Sequence, residues 1–216
     1  RADTDRTPLR ADTAALRPGR YTLRVSALND TASFDITVLP KFVSADARRQ
    51  LALLTPKLSG GNYDTLAFLI EEIDRLHHEL APYADATEEL DVMTRRQHEL
   101  AAVQAVENPF IVQRSPYRRA FRSKTDDTLQ PYSIKLPPDF DIQRTYPAMV
   151  FLHGSGRDER GLLDRQRSTD RFIDIAPFGR DKYRAYASEA SQTDIVEAVD
   201  AASEDFPIDN DRLIIG

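Results

Sequence analysis

At 216 residues, with 41% hydrophobic side chains, the chain has material for one large domain or two to three small ones. Its 29 Lys and Arg against 35 Asp and Glu leave a formal charge of −6, which argues against non-specific nucleic-acid binding. The absence of cysteine excludes disulfides, thiolate zinc sites and a cysteine nucleophile, and no apolar run approaches the ~20 residues that span a bilayer.

The acidity is local. Residues 44–107 hold six basic against twelve acidic side chains, the pattern of a solvated helical surface. No signal peptide is visible. The tetrapeptide RADT occurs at Arg1–Thr4 and again at Arg10–Thr13, which does not read as a natural start, so the chain is expected to begin inside a longer protein.

Residues 1–43 end in a hairpin. Tyr21, Leu23 and Val25 alternate with polar residues, as do Phe34, Ile36 and Val38, with a turn predicted at Asn29–Thr31. The lead-in LRPGRY resembles the approach to the second-to-last strand of an immunoglobulin-like sandwich, where a tyrosine braces a corner. A lone hairpin is marginal in water, so the rest of such a sandwich is expected to be missing or to lie elsewhere. The alternative is a hairpin that embellishes the following domain.

Residues 44–110 turn helical. Leu51, Leu54 and Leu58 form one stripe, broken at Ser59–Asn62. Leu66, Leu69, Ile70, Ile73, Leu76 and Leu80 form a second, stopped by Pro82. Thr87 caps a third helix with Leu90, Met93, Leu100 and Val103 inward, and Asn108–Phe110 closes the segment. The expectation is a helical linker domain serving as spacer or platform. Its histidines do not make a metal site: His78-Glu79 and His98-Glu99 lack the second histidine that a zincin helix requires, so His77, His78 and His98 read as surface residues.

From residue 111 the texture becomes α/β. Tyr117–Lys124 and Leu129–Pro137 read as strands joined by TDDT. Of Arg114, Arg118, Arg119, Arg122 and Lys124, alternation is expected to place several on the exposed face of an edge strand, where charge deters aggregation, with contact to an anionic substrate as the alternative. Pro147–Gly154 is a continuous apolar run, as in a strand buried on both faces of a parallel sheet. A strand over Arg171–Gly179 follows, then a helix over Ser191–Phe206, capped by Ser191, with Ile195, Val199, Ala202 and Phe206 inward. A buried strand, RLIIG, ends at Gly216. Asp209, Asn210 and Asp211 are too few and too close for a calcium hand and read as a turn.

The chemistry concentrates in YPAMVFLHGSGRDERG. A buried strand runs into His153-Gly154-Ser155-Gly156, whose glycines turn the chain sharply and expose its N–H groups at the carboxyl end of a parallel strand. Acyl transfer needs such donors aimed at a developing oxyanion; losing one costs ~3 kcal/mol. Residues 157–161 follow directly and read either as a lining of the substrate cleft or as a solvated helix start.

The ordered set of HGSG, a strand ending in APFG, a helix, and PIDNDRLIIG resembles the first half of an α/β-hydrolase catalytic domain, over residues 117–216. The nearest branch holds the prolyl oligopeptidase-like peptidases and the polyhydroxybutyrate depolymerase/feruloyl esterase-like esterases. The resemblance implies an α/β-hydrolase fold, with residues 111–216 as its N-terminal half, truncated before the nucleophile elbow. Gly216 would be the first glycine of that elbow, and the catalytic Ser, Asp and His would all follow it. Ser155 N–H, with Gly156 next, would supply half of the oxyanion hole, while His153 and Gly154 would support the loop. The resemblance implies a serine hydrolase forming an acyl-enzyme, with a small-molecule or polymer ester as substrate, no metal or organic cofactor, and no activity in these residues alone. A prolyl oligopeptidase-like peptidase is the second reading; nothing in the sequence repeats like the propeller such enzymes carry. A non-catalytic binding or adhesion protein with a decayed hydrolase fold is the third. Sandwich modules would associate the protein with the periplasm or the cell exterior.

Overall fold

The computed structural model describes residues 15–27, 30–38, 42–78, 116–165 and 171–216. The predicted third helix, Leu80, Pro82, His98, Asn108–Phe110 and Arg114 fall outside them, as do the side chains of Leu76, His77 and His78.

Strands β1 (Gly19–Ala27) and β2 (Asp30–Val38) form a two-stranded antiparallel sheet. Pairing runs from Gly19 opposite Val38 to Ala27 opposite Asp30, so Asp30 and Thr31 belong to the strand and not to the turn. Tyr21 faces Ile36 and Leu23 faces Phe34, which collects the apolar residues on one face. The Tyr21 hydroxyl donates to the Arg17 carbonyl at 2.8 Å, bracing the bend at Pro18.

Helices α1 (Ser44–Leu54) and α2 (Gly60–His78) are linked by a short 3-10 turn at Thr55–Lys57. Instead of standing apart as a spacer, they share the core of the sheet that follows. Ala47, Leu51, Leu66, Leu69 and Ile70 belong to the same apolar cluster as Tyr132, Ile134, Ile175 and Val199.

That sheet has five strands in the order β3-β4-β6-β5-β7. β4 (Leu129–Lys135) runs antiparallel to both its neighbours, β3 (Tyr117–Arg122) and β6 (Ile173–Pro177), while β5 (Tyr146–Val150) runs parallel to both β6 and β7 (Ile208–Ile215). α3 (Glu159–Arg165) connects β5 to β6, and α4 (Glu189–Asp205) connects β6 to β7 past β5. α4 starts two residues earlier than predicted, and its N-cap lies three residues earlier. Ser188 is its N-cap, and Ser191 is the reciprocal member of a capping box rather than the cap.

Arg122 and Lys124 are exposed, as expected, but Arg118 and Arg119 overturn the expectation of a solvated edge. Arg119 is fully buried: Nε donates to the Tyr132 hydroxyl at 3.1 Å, Nη1 to Asn62 Oδ1 at 3.0 Å, and Nη2 pairs with Asp205. Arg118 is nearly as deep and pairs with Glu72 of α2 and Glu159 of α3. Burial works against its charge, but Glu159 and Glu72 outweigh it and hold the guanidinium above its usual range. Consecutive strand residues point to opposite faces, so α3 and α4 cover the sheet on its two sides. Gly61 is required by close approach. A Cβ there would strike Asp205 and lie 2.7 Å from Arg119 Nη2.

β7 also differs from expectation. Its apolar residues Leu213, Ile214 and Ile215 are 40%, 45% and 69% exposed, because among the described strands β7 is an edge paired to β5 alone.

Replacing Arg119 by Met is expected to destabilise the fold by about 3–5 kcal/mol, because Asp205 then carries an unpaired, largely buried charge. Urea unfolding read by fluorescence measures this. The paired replacement Arg119→Met with Asp205→Leu is expected to recover most of the loss.

Candidate functional site

β5 ends at Val150, and the chain then continues irregularly through His153. The Gly156 φ of +78° and the Arg157 N–H to Gly154 O bond of 3.2 Å give residues 154–157 the pattern of a type II turn, which requires glycine in its third position. Nothing lies within 4 Å of where a Gly154 Cβ would sit, so that glycine leaves the approach to the turn open. Gly154, Ser155 and Gly156 are exposed. The Gly156 N–H is occupied, donating to Lys182 O at 2.8 Å, whereas no described residue accepts from the Ser155 N–H.

His153 is buried and joins the ends of two strands. Nε2 lies 2.7 Å from Phe178 O, just after β6, and Nδ1 lies 3.2 Å from Gly154 O. Both partners are carbonyls, and the single N–H of a neutral imidazole best serves the shorter contact. The ring stacks on Phe178 at 6.0 Å and tilts against Tyr186 at 5.5 Å.

Tyr186 reinforces this link, since its hydroxyl donates to Pro177 O at 2.6 Å while its ring packs against His153. Burial pushes its phenol up to about 12, so it remains a donor at neutral pH. Its placement requires unusual backbone. Tyr186 and Arg180 take φ values of +59° and +69°, and Gly179 takes +65°, with a Cβ there lying 2.7 Å from Tyr186 Cδ1. Arg180 is fixed by Asp194, through Nε to Oδ2 at 2.6 Å, and by Asp126.

Gly216 lies one strand away, beside Phe151 and three residues short of this turn. Its N–H donates to Val150 O at 2.9 Å, and its carbonyl accepts from Leu152 N–H at 3.4 Å. A Cβ on Gly216 would make ordinary contact with Phe151 at 3.5 Å, so packing does not demand glycine there. The loops leaving β5 and β6 lead to helices on opposite faces of the sheet, the arrangement that opens a ligand crevice at strand carboxyl ends.

Other candidates from the sequence lie elsewhere. Asp209–Asp211 form the start of β7, where Asp209 accepts from Asp211 N–H at 3.1 Å and pairs with Arg212. Among the described residues no group of three His, Asp or Glu could hold a metal, and no helix is long and apolar enough to cross a membrane. Arg157, Asp158 and Gly161 line a recess of about 150 Å³ beside Gly156, while Glu159 turns inward to Arg118.

No family model matches the sequence, and no curated protein matches it. Solved structures with similar backbone do exist. One is a thermostable esterase, 17% identical over 47% of this chain and 33% of that one, with a TM-score of 0.35. Another is a ferulic acid esterase from Anaeromyces mucronatus, 16% identical over 46% of this chain and 47% of that one, TM-score 0.33. A fluorophosphonate-binding serine hydrolase from Staphylococcus aureus is 23% identical over 46% and 45%, TM-score 0.37. The chain therefore spans a third to a half of the length of these structures.

Gly179→Ala is expected to lower the thermal midpoint, through the left-handed backbone and the displaced Tyr186 ring. In a Tyr186→Ala background the added loss is expected to shrink to the backbone penalty of about 1–2 kcal/mol. An equal loss in both backgrounds would exclude the ring contact as the cause.

Proposed function

We propose that this chain carries the N-terminal half of an α/β-hydrolase catalytic domain, and that the protein it belongs to is a serine hydrolase cleaving carboxylic esters through an acyl-enzyme. The observation that carries the reading is the pairing of Gly216 with Val150 and Leu152. In this reading a chain leaving Gly216 turns toward the exposed Ser155 amide, at the same carboxyl end of the parallel strands. A nucleophile elbow beginning at Gly216 would thus set its serine against half an oxyanion hole.

In this reading Ser155 contributes its backbone N–H, not its hydroxyl. Gly156 makes the turn, and its own N–H can serve the reaction only by leaving Lys182 O. His153 and Gly154 hold and open the loop. The serine beyond Gly216 attacks the ester carbonyl while a histidine takes its proton. The oxyanion draws on Ser155 N–H, the alcohol leaves with that proton, and water then releases the acid. The hairpin is the end of an immunoglobulin-like module, on the strength of the Tyr21 brace to Arg17.

Three measurements test the proposal. A serine is expected two residues after Gly216 in the gene, and a residue unable to act as a nucleophile there sinks the enzyme reading. The full-length protein is expected to take up a fluorophosphonate stoichiometrically, whereas residues 1–216 alone are not; labelling of the shorter chain would show that the nucleophile lies within it. Ser155→Pro removes the N–H while suiting the second position of a type II turn, and is expected to lower kcat by about 10²–10³ at an unchanged thermal midpoint. Ser155→Ala keeps the N–H and is expected to leave kcat within a few-fold, as hydrolysis of a p-nitrophenyl ester would report.

A further inference from the structure

α2 does more than fill the core. It lines a cleft of about 550 Å³ through Phe68 and Arg75, opposite Leu129 and Pro131 at the start of β4 and Phe178 and Lys182 after β6. Because β4 opposes β6, its start and the end of β6 share one end of the sheet, the end that carries His153 to Gly156. The recess beside Gly156 shares Asp158 and Lys182 with this cleft, so one trench runs from the turn to α2. The roomier hollow of about 1100 Å³ lies at the other end, against Tyr146, Pro147 and Phe172, away from the turn.

The trench is tied to the turn at both walls. On one side the Phe178 ring stacks on His153 and its carbonyl holds His153 Nε2. On the other, Arg118 joins Glu72 of α2 to Glu159, which opens α3 just after the turn. The spacing between α2 and the Ser155 amide is therefore set by buried ion pairs. Phe68 is half-buried, while its neighbours Leu66, Leu69 and Ile70 are 1% exposed and Tyr63 packs on the core. The charges lining the cleft balance: Glu71, Glu72 and Asp158 against Arg75, Arg118 and Lys182. Such a lining carries no net charge to favour an ionic ligand of either sign, and the volume lies within the ~300–1,000 Å³ of ordinary ligand clefts.

We propose that α2 is the far wall of the substrate cleft, and that Phe68 sets the preference for a bulky, uncharged, largely apolar group on one side of the scissile ester. This rests on the esterase reading above and adds the class of substrate to it. The test uses the full-length protein and two series: p-nitrophenyl esters from acetate to octanoate, and acetates of alcohols of increasing size. For Phe68→Ala and Phe68→Trp, the ratio of kcat/KM for the bulkiest to the smallest ester is expected to shift about tenfold in one series. The shift is expected in KM more than in kcat for the bulkiest ester. Phe68→Leu supplies the same ratio if the alanine variant does not fold. An unchanged ratio in both series overturns the proposal while leaving the esterase reading intact. A wild-type protein that turns over no ester overturns both.

Discussion

Two adjacent guanidiniums on an outer strand hold this structure together. Arg118 and Arg119 lie on opposite faces of β3, and each is buried against carboxylates from other elements. Together they bind α2 to the sheet, the first through Glu72 and the second through Asn62. Directly after them the Ala120 N–H donates to the Thr65 hydroxyl of α2 at 3.1 Å. An unpaired strand edge is a liability for aggregation, and α2 removes it by hydrogen bonding as well as by coverage. Buried ion pairs add little net stability because desolvation offsets their attraction, but breaking one leaves a charge stranded. Their effect here is to fix where α2 must sit.

This is also where the sequence is hardest to read. Five basic residues in eleven look like a solvated surface, and periodicity cannot tell an exposed arginine from one whose carboxylates arrive from 46 or 86 positions away. The one local clue is Gly61 at the helix start, where close approach excludes a Cβ. By contrast, the order of strand, helix and strand from Pro147 onward was legible, because apolar runs and a capping sequence are local signals. Even there the cap fell at Ser188 instead of Ser191, since serine at either position suits an N-terminus and the capping box uses both. The exposed face of β7 was not legible. RLIIG is composed as a doubly buried strand, and its burial depends on which strand lies beyond it.

The turn at Ser155 was legible as a type of backbone, and less so as an arrangement of donors. HGSG announces positive φ and exposed amides. It does not announce that Lys182, from another loop, takes the Gly156 N–H and leaves that of Ser155. Nor does it show that His153 reaches Phe178 O, because that contact exists only when β5 and β6 are neighbours.

The loop after β6 explains how such a turn is kept rigid. Gly179, Arg180 and Tyr186 all take left-handed backbone, and each non-glycine case costs on the order of 1–3 kcal/mol unless its surroundings impose it. The surroundings do so: Asp194 and Asp126 hold Arg180, and Pro177 O with the His153 ring holds Tyr186. The strain is thus concentrated in the loop that supplies Lys182 O and Phe178 O, the two carbonyls that grip the turn. A rigid clamp of this kind keeps the Ser155 amide pointing at one place without help from a ligand. That is the condition under which a backbone donor stabilises developing charge, since no reorganisation is needed when the charge appears. The same rigidity extends through Arg118 to α2, so the donor and the far wall of the cleft keep one spacing.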